Sequence, residues 1–168
     1  GLPNAISVSE SGQRVAVAVT DEKSRKTNIY CLDATGTTLG QNSDFGMIDR
    51  LAFAGDDKMV VCTGRQFYLY KNNGQTAYAV AQLPGYAIGQ APISASPDGQ
   101  HILVVSTDSP DTQNGFRVLA YDQNAVLTHD AFFEGEASDD LGKLVRFENQ
   151  ETLRLALPNA LFTLKMKN

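Results

Sequence analysis

Basic residues are scarce in this chain: 14 lysines and arginines stand against 19 aspartates and glutamates, a net charge of −5. A sequence-blind binder of nucleic acid or of an anionic membrane needs a basic patch, so both classes are set aside. Histidine and cysteine are scarcer still, with two of each. A zinc centre wants more of either. His101 opens an apolar run and His129 lies in a polar one, neither in a Ser-His-Asp arrangement, so both read as structural or surface residues. Cys31 and Cys62 sit in apolar, strand-like runs, where reduced and buried thiols are expected; one disulfide between neighbouring strands is the alternative. No stretch approaches the ~18 apolar residues of a membrane-spanning helix, so no direct membrane insertion is expected. No apolar stripe of period 3.6 lasts three helical turns either. No catalytic residue, cofactor or metal site is therefore expected.

What the chain does hold is a repeated hairpin. Ile93-Ser94-Ala95-Ser96-Pro97-Asp98-Gly99-Gln100-His101-Ile102-Leu103-Val104-Val105-Ser106 reads as a strand, a tight turn and a second strand. Pro97 presets φ, Asp98 bonds back to nearby backbone, and Gly99 takes a positive φ without steric cost. The β-branched run that follows suits a strand buried on both faces. The same hairpin recurs at Ile6–Val19, Leu51–Thr63 and Leu144–Leu157. Aligning Val8, Phe53, Ala95 and Phe147 gives spacings of 45, 42 and 52 residues.

Each copy is followed by a third strand, at Asn28–Leu32, Phe67–Tyr70, Phe116–Tyr121 and Leu161–Met166. The first three copies add a more polar fourth strand, at Thr37–Leu39, Thr76–Val80 and Val126–Phe132, as an edge exposed to water requires. Four-stranded antiparallel units at a period of 40 to 50 residues are the signature of propeller blades. An ordinary β-sandwich predicts strands but no in-register turns at a fixed period. The expected fold is an all-β propeller of about four blades: three complete four-stranded blades plus three strands of a fourth. The whole chain, 1–168, forms one domain, with blades at about 5–42, 48–82, 91–133 and 143–168.

Ile93–Ser106 resembles the Ser-Pro-Asp-Gly hairpin of TolB-like and WD-repeat-like propellers. Tyr121-Asp122 and, more loosely, Leu32-Asp33 stand where a WD repeat carries Trp-Asp. The resemblance implies a propeller fold and, through its TolB-like character, a bacterial extracytoplasmic setting such as the periplasm. It supports fold rather than activity.

Fifteen strands leave an open edge, and the chain starts at Gly1 rather than at methionine, as a processed or excised chain does. Three arrangements are expected: a piece of a larger propeller, a homodimer completing the ring, or a small closed ring of four blades. Turns between first and second strands are short, whereas Asp21–Lys26, Asn42–Asp49, Leu83–Pro92, Thr107–Gly115 and Phe133–Lys143 read as long loops on the opposite side. Loops on a rigid scaffold are where contacts concentrate. Tyr86 is a candidate contact anchor among small residues. Asp108 and Asp111 space oxygens as a calcium loop would, without matching its motif, so a solvated turn is expected there. Glu134, Glu136 and Asp139 form an acidic run that suits a basic partner, or else a solvated connector. Asp44-Phe45-Gly46 spells a kinase tripeptide without its companion motifs and reads as chance. The expected function is a non-catalytic scaffold that binds a protein or peptide, within a larger protein or assembly. The alternative is a ligand-sensing or hydrolase-associated propeller whose site is completed from outside this chain.

Overall fold

A computed structural model describes residues 1–48, 50–63, 65–71, 77–83, 86–87, 93–107, 115–134, 145–150, 152–157 and 160–165. Every regular element among them is a strand. β1 (Leu2–Val8), β2 (Arg14–Asp21), β3 (Lys26–Asp33) and β4 (Thr38–Phe45) make one antiparallel sheet in chain order, blade 1. β5 (Arg50–Ala54), β6 (Lys58–Thr63), β7 (Gln66–Lys71) and β8 (Ala77–Gln82) make blade 2 in the same way. In blade 3, β9 (Tyr86–Ala87) and β10 (Ser94–Ala95) both pair with β11 (His101–Thr107), which is followed by β12 (Gly115–Asp122) and β13 (Leu127–Glu134). β14 (Val145–Phe147), β15 (Thr152–Leu157) and β16 (Ala160–Lys165) form a three-stranded blade 4. The fold is therefore all-β, with three complete blades and a partial one. The first strands stand side by side, β1 beside β5, β5 beside β10, and β10 beside β14.

The alternation of side chains along each strand gives every sheet two faces, called here front (the side on which blades 2 to 4 meet the preceding blade) and back (the other side). Ala16, Ala18, Ile29 and Cys31 on the back of blade 1 cluster with Met59, Val61 and Tyr70 on the front of blade 2. Val60, Cys62, Phe67 and Leu69 on the back of blade 2 meet Ile102, Val104, Leu119 and Tyr121 of blade 3. Leu103, Val105, Phe116 and Val118 then cover Leu153 and Leu155 of blade 4. Each such aliphatic or aromatic side chain contributes roughly 1.5–3 kcal/mol on leaving water, so the three seams hold the blades together. Edge-to-face rings complete two of them: Phe67 and Tyr121 at 4.6 Å, and Phe45 between Tyr68 at 5.8 Å and Tyr70 at 5.6 Å.

The turns repeat down to single hydrogen bonds. The Gly12 N–H donates to the Ser9 carbonyl, and the Gly99 N–H to the Ser96 carbonyl. The Ser9 hydroxyl accepts from the Arg14 N–H and the Ser96 hydroxyl from the His101 N–H. Gly99 has φ +66°, and a Cβ there would lie 2.5 Å from the Ala54 carbonyl oxygen, so only glycine fits this turn against its neighbour. At the same end of the sheet, between its third and fourth strands, Asp33 caps its own turn through the Thr35 and Thr37 N–H groups. Asp122 does the same through Asn124 and Val126.

Several strands and loops differ from the sequence reading. Among the described residues there are sixteen strands rather than fifteen, because both β9 and β10 pair with β11 on the inner side of blade 3. Tyr86, expected on a loop, belongs to β9 and pairs with Thr107. β1 starts at Leu2, since Leu2 and Pro3 pair with Thr20 and Val19. The Asp21–Lys26 loop is a tight hairpin whose ends, Asp21 and Lys26, pair with each other. β4 runs on to Phe45, which is buried, so the expected 42–49 loop is partly strand. Glu134, expected in a connector, is the last residue of β13 and lies opposite Gly115.

Candidate interaction surfaces

Of the loop-borne candidates, Tyr86 and Glu134 lie among the described residues, on β9 and β13 with β11 and β12 between them. Tyr86 is fixed by its backbone in β9, and Glu134 is exposed at the far end of β13. Asp108, Asp111, Glu136 and Asp139 lie outside the described residues. Among the described residues no group of three histidine, cysteine, aspartate or glutamate side chains could hold a metal ion.

The histidines are likewise apart. His101 stacks on Phe147 with ring centroids 6.3 Å apart, at the seam of blades 3 and 4. His129 lies within hydrogen-bond distance of the Thr128 hydroxyl, 3.1 Å, and walls a cavity of about 180 Å³ floored by Leu103, Val118 and Leu153. Burial pushes the Tyr121 phenol up to about 12, with the charges of Cys62 and Asp130 adding to it, so it stays neutral in the seam. Burial also pushes the Cys31 thiol up, and neither cysteine forms a disulfide. They cannot meet: Cys31 is in the seam of blades 1 and 2, and Cys62 is on the far side of the blade 2 sheet.

The turn side is stitched from blade to blade. The Ser11 N–H donates to Asp56 Oδ1 at 2.9 Å, holding the Asp56 carboxyl below the usual carboxylate range. Lys58 Nζ reaches the Gly99 carbonyl at 3.1 Å and Gln123 Oε1 at 2.9 Å. Nearer the inner strands, the Ser7 hydroxyl accepts from the Phe53 N–H, and Ser94 holds the same position toward Phe147. These groups serve the assembly of the blades.

One surface is different. Register places Val15 with Met59, Ile102 and Leu153, and Val17 with Val61, Val104 and Leu155, at equivalent positions on the front faces. In blades 2 to 4 these side chains are buried. On blade 1, Val15 and Val17 are only half-buried, as are Tyr30 and Leu32 beside them on β3. The inner strand shows the contrast most sharply: Ile6 is 63% exposed and Val8 57%, whereas their counterparts Leu51 and Phe53 are 7% and 8% exposed. The front of blade 1 is thus an apolar sheet face of the kind that is covered three times elsewhere in the molecule. Large contiguous apolar faces mark interaction sites. Reading the strands one at a time could not find it, because its pattern equals that of the covered faces. The signal lay in the register of the four repeats.

A scan against protein-family models finds no match, and a search of curated proteins finds none either.

Proposed function

We propose that this protein is a non-catalytic, propeller-like scaffold that binds another protein through the front face of blade 1. The observation that carries the reading is the exposure of Ile6 and Val8 at positions whose counterparts Leu51 and Phe53 are buried. An exposed apolar sheet face of this size attracts a second apolar surface, through the same burial that joins the blades to one another. The resemblance of the Ser96-Pro97-Asp98-Gly99 turn to TolB-like and WD-repeat-like propellers supports the propeller-like fold on which this reading rests. It also makes a bacterial extracytoplasmic setting part of the proposal. A partner docked there extends the row of blades beyond blade 1.

The test places a photo-crosslinking phenylalanine at Tyr30, on the front of blade 1, and in a second protein at Thr163, which is exposed on blade 4. Illumination in the cells that make the protein is expected to give one adduct of defined mass from position 30, lost when Val17→Asp is added, and none from position 163. Absence of any adduct at position 30, or identical adducts from both positions, overturns the proposal.

A further inference from the structure

The cavity of about 180 Å³ between blades 3 and 4 has a counterpart in the preceding seam, where it is filled. Leu103, Val118, Ala120 and Ala131 line it from blade 3 and Leu153 from blade 4. Strand pairing places Val60, Phe67, Leu69 and Ala81 at the matching positions of blade 2. Tyr121, on β12 opposite Ile102, is buried against that wall with its ring 4.6 Å from Phe67. Tyr70, opposite Met59 on β7, is buried in the same way against blade 1. At the corresponding place on β16, opposite Leu153, the residue is Leu164.

Two seams therefore carry a tyrosine at this register position and the third does not. The filling residue belongs to a third strand, which blade 4 has. The wall is also set back, since Val118 stands where blade 2 has Phe67 and Ala120 where it has Leu69. An apolar cavity of about 150 Å³ takes benzene, so this one has room for a single aromatic ring with a small substituent.

The rim decides the substituent. His129 and Lys165 also line the cavity, and both are exposed. His129 Nδ1 lies 3.1 Å from the Thr128 hydroxyl, so Nε2 is the ring nitrogen left for a ligand. Asp130 lines the cavity too, but its carboxylate is taken by Arg117, whose Nη1 donates to both oxygens at 2.9 Å. Register puts Arg117 on the front of the sheet, away from Val118 and Ala131. A carboxylate at the rim thus meets a cation and a hydrogen-bonding nitrogen, while the acidic side chain nearby is already paired.

We infer that the cavity between blades 3 and 4 is a binding site for a small monocyclic aromatic acid. The ring takes the place that Tyr121 holds one seam earlier, and the carboxylate lies between Lys165 and His129. The site is separate from the front of blade 1 and does not rest on its reading as a docking face.

The test titrates isotope-labelled protein with benzoate and follows the methyl resonances of Leu103, Val118 and Leu153. They are expected to shift together and to saturate with a dissociation constant of about 1 mM. Ala120→Leu, which gives blade 3 the residue of blade 2, is expected to abolish the shifts. Lys165→Ala is expected to weaken benzoate about fivefold and to leave benzyl alcohol, a neutral ring of similar size, unchanged. No saturable shift at the three residues overturns the inference, as does a folded Ala120→Leu protein that binds benzoate like the wild type. Unchanged benzoate affinity in Lys165→Ala overturns the assignment of an acid. Should Ala120→Leu fail to fold, Ala131→Val narrows the cavity from β13, with loss of benzoate binding supporting the site and wild-type affinity overturning it. Val17→Asp is expected to leave the titration unchanged, so this inference and the proposed function fail separately.

Discussion

Val17 and Val61 hold the same place in their sheets, yet one is half-covered and the other is sealed. Both follow a tight turn, both are flanked by small or β-branched residues, and both lie on the front of their sheet. The difference is the neighbour alone. Local sequence specifies a blade with two apolar faces, and position in the row decides which of those faces reaches water. The front of blade 1 is thus a core surface without a core.

The sharpest way to break this comparison is to charge both positions. Val61→Asp buries a carboxylate between two sheets and is expected to cost more than about 4 kcal/mol, leaving the protein unfolded or molten. Val17→Asp places the same group at a partly wet site and is expected to stay within about 1 kcal/mol of the wild type. Urea denaturation followed by circular dichroism separates the two, and similar losses would show that the front of blade 1 is covered after all.

A second contrast sharpens the role of the neighbour in the turns. Gly12 and Gly99 both have positive φ, but nothing lies within 4 Å of a Cβ at Gly12, whereas at Gly99 the Ala54 carbonyl is in the way. Gly12→Ala is expected to cost about 1 kcal/mol, from backbone conformation alone. Gly99→Ala adds a clash against rigid backbone and is expected to cost about 3 kcal/mol. Equal unfolding midpoints for the two variants would remove the turn-to-turn contact from the account.

The pH dependence separates Asp98 from its surroundings. Burial raises its carboxyl, but the Ser96 hydroxyl, the Gln100 N–H and the charge of His101 outweigh that, leaving it below its usual value of 3.8. A depressed folded value means the stabilisation is complete above the unfolded value and is lost as pH falls through the folded one. Thermal midpoints are therefore expected to drop on acidification below about pH 4, less steeply in Asp98→Asn than in the wild type. Parallel slopes would show that Asp98 contributes nothing to acid sensitivity.

The smallest effect concerns two equivalent turns. Gly36 has φ +86°, and Ala125 holds the matching place at φ +63° with the same hydrogen bond, its N–H to the Asp122 carbonyl. An L-residue in that region is strained by roughly 1–2 kcal/mol, so Ala125→Gly is expected to gain about 0.5 kcal/mol after the added chain entropy is counted. Gly36→Ala is expected to lose about 1 kcal/mol. A loss in both variants would mean that the Ala125 methyl, packed against the seam of blades 2 and 3, matters more than its backbone.

The repeat was legible because β-branched runs and polar turns alternate at a steady period, and the aligned residues Val8, Phe53, Ala95 and Phe147 do occupy matching register positions. Strand extents were less legible. β4 is polar along most of its length, as an outer edge is, so its continuation to the buried Phe45 gave no apolar signal. β9 is two residues long and is held by pairing with β11, which no local propensity announces. The exposed front of blade 1 was hidden for a third reason: Ile6, Val8 and Val17 look like any buried strand residues, and only their exposure in the fold marks them.

Because Cys31 and Cys62 are sealed in different seams on opposite sides of blade 2, each thiol times a different motion. A reagent reaches Cys31 only when blades 1 and 2 part, and Cys62 only when blades 2 and 3 do, so two labelling rates become two opening frequencies. Anything that clamps the outer face of blade 1 from one side should slow the first clock more than the second. The molecule thereby carries, in its two sulfur atoms, a gauge of how far along the row the grip of a bound partner is felt.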